Sequence, residues 1–72
     1  MFYEQWLAIA RETGDIVGVA EASFNIALFH QDENPTKALK YAREAHRIFS
    51  EIGHQQYTAE AQLLIEQISG SG

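Results

Sequence analysis

The stretch RETGDIVGVAEASFNIALF, Arg11 to Phe29, returns in outline as SEIGHQQYTAEAQLLIEQI, Ser50 to Ile68. Sliding the chain by 39 positions matches Ile9 with Ile48, Glu12 with Glu51, Gly14 with Gly53, Ala20 with Ala59, Glu21 with Glu60, Ala22 with Ala61 and Ile26 with Ile65. These identities exceed the roughly two that chance would give, and a period between about 20 and 50 residues marks stacked supersecondary units. The chain therefore reads as a repeat rather than as one irregular domain.

Local punctuation says what the repeated unit is. Gly14 and Gly53 each follow an apolar-periodic run, where glycine can take the left-handed conformation that ends a helix. Asp15 suits the cap of the next helix, and Asn34 with Pro35 opens another, since proline at the first helical position loses no hydrogen bond. The expected helices are 2–13, 16–31, 35–52 and 55–68, within a repeat unit 1–69, with 70–72 as a flexible tail or cloning scar. No segment alternates with a strand's period of two, so the fold class is all-α: antiparallel helical hairpins stacked as a short right-handed solenoid.

Composition narrows the work such a chain can do. With 72 residues and no cysteine, neither a disulfide framework nor thiolate metal ligation is available, and helix packing must hold the fold. No apolar run reaches the roughly 18–20 residues of a membrane span, and MFYEQW lacks the layout of a secretory signal, which gives a cytoplasmic expectation. A net charge of −5 argues against nucleic acid or an anionic membrane as ligand. His30, Asp32 and Glu33 cluster in sequence, and His46 and His54 lie further on, but none has the spacing of a zinc site. No glycine-rich phosphate loop and no serine in a nucleophile-elbow context is present. No catalytic residue, cofactor or metal is assigned.

The segment EASFNIALFHQDENPTKALKYAREAHRIFSEIG resembles a tetratricopeptide repeat of the extended, roughly forty-residue kind, the type seen in kinesin light chain and in bacterial signalling proteins. Ala27 falls at the family's small-residue position in NIALFH, and Ala38 and Ala45 at the close helix contacts of KALKYAREAHRIF, while Ser23 stands where a large residue is usual. The resemblance implies a protein-binding scaffold without catalytic residues, which as a module would belong to a larger adaptor or regulator.

The helix faces assign packing and leave a remainder. On 35–52, Ala38, Tyr41, Ala42, Ala45, Ile48, Phe49 and Ile52 share one side, with Lys40, Arg43 and Arg47 opposite, where Lys40–Glu44 and Arg47–Glu51 are spaced as i,i+4 pairs. Helix 16–31 is apolar over most of its circumference and is expected to be packed on several sides. On 55–68, Gln55, Gln62 and Glu66 replace Ile16, Ser23 and Ala27, the polar outer face of a terminal repeat at the C-terminal end of an array, while Tyr57, Ala61, Leu64, Ile65 and Ile68 keep one apolar face. Two functions remain open. One is a partner groove on 16–31 formed by Glu21, Phe24, Asn25, Leu28 and Asp32 with Glu60 one unit later, suited to a basic or mixed apolar–basic protein segment and, lacking Lys or Arg, not to an acidic C-terminal tail. The other is a homo-oligomer in which helix 2–13 pairs with a second copy or exchanges with it, with Phe2, Tyr3 and Trp6 near the contact.

Overall fold

A computed structural model describes residues 2–70. It contains four helices, α1 (Phe2–Thr13), α2 (Ile16–His30), α3 (Pro35–Glu51) and α4 (Gln55–Gly70), and no strand among the described residues. The expected boundaries hold to within two residues. The exception of note is the last helix, which takes in Gly70; Ser71 and Gly72, the rest of the expected tail, lie outside the described residues.

The two glycine turns are copies of each other down to the hydrogen bond. Gly14 and Gly53 have φ of 73° and 76°, left-handed values that cost a side chain dearly. In the first turn Gly14 N–H reaches Arg11 O at 3.4 Å and Asp15 N–H reaches Ala10 O at 2.9 Å. In the second, Gly53 N–H reaches Ser50 O at 3.1 Å and His54 N–H reaches Phe49 O at 2.9 Å. Each pair is a Schellman closure of the preceding helix. The next helix starts the same way in both: an Asp15 carboxylate oxygen accepts from Gly18 N–H at 3.0 Å, and His54 Nδ1 accepts from Tyr57 N–H at 3.3 Å. Every atom pair in the second turn lies 39 residues from its counterpart. The α2–α3 turn follows different rules, with Asn34 capping Lys37 N–H at 3.2 Å and Pro35 at the first helical position.

Each helix packs on the next in sequence, with the broadest contact between α2 and α3, and the molecule is a slab of 35 × 28 × 13 Å. One core lies among α1, α2 and α3, built from Leu7, Ala10, Val19, Ala20, Ala22, Ile26, Ala45, Ile48 and Phe49. A second joins α2, α3 and α4 through Ala27, Ala38, Ala42, Leu64 and Ile68. Alanines fill the seams, so the backbones approach closely. Tyr41 is half-buried and Ile52, expected inside, is exposed past the end of α3.

Two expectations are corrected. Helix α2 is not covered all round: Gly18, Val19, Ala20, Ala22, Ser23, Ile26 and Ala27 are buried, but Ile16, Val17, Leu28 and Phe29 are exposed, because its principal packing partners are α1 and α3 alone. The Lys40–Glu44 pair does not form. Glu44 turns to α1, where the Arg11 guanidinium donates to both its carboxylate oxygens at 2.9 and 3.2 Å, and Lys40 lies over the Tyr41 ring at 5.9 Å. A second bridge, Lys37 Nζ to Glu4 at 3.0 Å, also links α3 to α1 and holds the Glu4 carboxyl below its usual range through that hydrogen bond and the lysine charge. The bridge's contribution is fully present above the unfolded carboxyl range and is lost as pH falls through the lowered folded value. Arg47 and Glu51 pair as expected, at 3.0 Å.

Gly53→Val should lower stability by about 1–2 kcal/mol, because a β-branched residue is forced into the left-handed region, while Gly70→Val, at the last residue of α4 with open space around its Cβ, should be near neutral. Equal urea midpoints for the two variants would refute this turn geometry. Ser23 Oγ is buried with no hydrogen-bond partner. Ser23→Ala should therefore raise stability by about 1 kcal/mol or leave it unchanged, as read by thermal melting, whereas a loss of that size would show a hidden bond.

Candidate binding groove

The polar strip on α2 follows from helix geometry. Residues 21, 25 and 28 recur every three or four positions and so form one line along α2, whose spacing Asp32 would continue beyond the end of the helix. Where that line faces the α3–α4 end of the slab, Glu21, Phe24 and Asn25 join Phe49 from α3 and Tyr57 from α4 around a recess of about 200 Å³. Asn25 Nδ2 donates to the Glu21 carbonyl at 2.9 Å, which fixes the amide against its own helix. The half-buried Glu21 side chain has no hydrogen bond or ion pair among the described residues.

The aromatic wall is held from behind. Phe49 and Tyr57 pack at 5.2 Å with a 44° tilt, and the His54 ring stacks on Tyr57 at 4.2 Å and 18°. Because His54 Nδ1 also accepts the Tyr57 N–H, one residue caps α4 and supports the ring that faces the recess. That bond requires the tautomer with hydrogen on Nε2. An unpaired carboxylate framed by three aromatic rings and an amide is chemically suited to a cation carried on an apolar stem.

The structure gathers part of the expected set. Glu21, Phe24 and Asn25 line the recess; Leu28 is exposed on the same helix, one turn on; Asp32 lies exposed in the α2–α3 turn. Glu60 does not line it, and accepts a hydrogen bond from the Gln56 amide at 3.3 Å. Phe49 and Tyr57 were read from sequence only as core-face residues. The signal for Tyr57 was its place opposite Gly18 in the repeat, an aromatic ring where the first unit has no side chain. In α1, Tyr3 and Trp6 are half-buried against the core, while Phe2 is 72% exposed. His30 carries a buried, unpartnered Nε2 and meets Phe29 edge to face at 5.0 Å.

A second, wider cavity of about 430 Å³ opens between α3 and α4, lined by His46, Ser50, Gly53, Gln55, Thr58, Ala59 and Gln62. Among the described residues no group of three or more His, Asp or Glu is placed to hold a metal ion. No described helix is long and apolar enough to cross a membrane. No family model, curated protein or solved structure matches the chain.

His54→Ala should cost about 1 kcal/mol through loss of the α4 cap, and should release the Tyr57 ring, seen as a collapse of its chemical-shift dispersion toward random-coil values. Unchanged stability together with unchanged Tyr57 shifts would show that His54 neither caps nor supports.

Proposed function

We propose that this chain is a protein-interaction module, a tetratricopeptide-like scaffold unit without catalytic activity, whose α2 groove takes a basic, partly apolar segment of another protein. The observation that carries this reading is the unpaired Glu21 carboxylate set among Phe24, Phe49 and Tyr57. A lysine or arginine of the partner inserts there, its methylene stem against the rings and its charge on Glu21, and Leu28 receives an apolar side chain one helical turn away. Asp32 and the net charge of −5 add a longer-range attraction for the same partner. No lysine or arginine lines the recess, so an acidic terminal tail has nothing to bind it.

Synthetic peptides of about 10–15 residues with alternating leucine and arginine test the reading by fluorescence anisotropy, against versions with glutamate in place of arginine. The cationic set should bind, weaken as salt rises, and lose about five- to tenfold in affinity on Glu21→Lys. Lys40→Glu, on the outer face of α3, should leave binding nearly unchanged. Preference for the acidic peptides, or affinity that ignores Glu21 and Leu28 but collapses on changing Lys40 or Arg43, would overturn it.

A further inference from the structure

Identical residues 39 positions apart do not share the same burial, and the pattern of the mismatch is informative. Ala22 and Ala61 are both buried. Ile48, however, is 2% exposed while its twin Ile9 is 58% exposed; Ala20 is 0% exposed while its twin Ala59 is open to solvent. Ile48 and Ala20 belong to one core cluster, where α3 sits in the groove between α1 and α2. The exposed twins are thus the two separated halves of a joint that the molecule closes once within itself. Ile9 is on the outer face of α1, and Ala59 is in the wall of the α3–α4 cavity.

Most of that cavity agrees. Four of its seven lining residues, His46, Thr58, Ala59 and Gln62, correspond to Leu7, Val19, Ala20 and Ser23, all buried in the closed joint, while Ser50, Gly53 and Gln55 correspond to Arg11, Gly14 and Ile16, which are exposed. The cavity is the empty counterpart of the seat that α3 fills. We infer that it receives α1 of a second copy of this chain, so that copies join head to tail, the Phe2–Ile9 face of one entering the α3–α4 groove of the next. This inference is independent of the α2 groove.

Of the two ion pairs that link α3 to α1, one has changed as a pair. In the closed joint Arg11 pairs with Glu44. Their counterparts across the open joint are Ser50 and Gln5, so that both charges are absent at once and an uncharged pair able to hydrogen-bond remains. A lone Arg or Glu there would face a partner unable to answer it. Gln62 and Glu66, tied to each other at 3.0 Å on the outer side of α4, and the negative charge of each copy make the open joint weaker than the closed one. Because the contact is heterologous and one face is used at each end, it propagates rather than closing into a symmetric pair.

Sedimentation of the 72-residue chain from tens of micromolar to about 1 mM tests it, and salt should favour assembly by screening like charge. Expected is a mass that climbs past two chains with concentration. Ile9→Glu and Ala59→Glu, both at exposed positions, should each sediment as monomers with the wild-type melting temperature, and their equimolar mixture should give particles of two chains, because each variant retains the end that the other lacks. Ser50→Arg with Gln5→Glu in one chain rebuilds the Arg11–Glu44 pair and should assemble at about two- to fivefold lower concentration. A wild-type chain monomeric throughout, an Ala59→Glu chain that still assembles, as symmetric pairing through α1 would allow, or a mixture that stays monomeric would each overturn the inference.

Discussion

The contact on which the molecule depends is the alanine seam between α2 and α3. Ala20, Ala22 and Ala27 on one helix and Ala38, Ala42 and Ala45 on the other have no exposed surface at all. A short side chain contributes little apolar area, but it brings two helices close enough for Ile26, Ile48 and Phe49 to interdigitate around them. A chain of this size with no disulfide cannot rely on a deep core. It relies on close approach, and the slab is only 13 Å along its shortest axis. Larger residues in the seam would push the helices apart and open both clusters together.

That thinness has a functional side. In a slab, a helix buries one broad face and shows another, so the chemistry of the exposed face is free to vary without disturbing the packing. On α2 the outward side carries half-buried Glu21, Phe24 and Asn25 with exposed Leu28, while Ser23, Ile26 and Ala27 turn inward between them. Polar and apolar groups thus stand side by side along one helix, at positions set by its backbone.

Much of this was legible in the sequence where the signal was local. Gly14, Gly53, Asp15, Asn34 and Pro35 act within four residues of themselves, and the helix boundaries follow from them. The contacts that escaped span distance. Glu44 is spaced to pair with Lys40, yet its partner is Arg11, 33 residues away, because the neighbouring helix brings a forked donor to it. Phe49 and Tyr57 were visible as apolar-face residues, but periodicity does not say which edge of that face borders a recess and which borders a core. The same gap explains Ile16, Val17 and Phe29, apolar residues on a helix whose second side has no neighbour to bury them. Of the groove, the α2 half was readable from one helix; the α3 and α4 half required knowing how three helices meet.

The succession of contacts, each helix on the next, also bears on how the chain folds. Every principal interface joins elements adjacent in sequence, so no long loop must close before packing begins to stabilise the chain, and low contact order favours rapid folding. The α2–α3 hairpin, packed most broadly and flanked on both sides, is the natural nucleus; α1 and α4, each held along one side, condense onto it and are the first to open again. Amide exchange would then grade from the middle of the chain toward both ends, and the helices most ready to detach are the two that carry the open halves of the repeated joint.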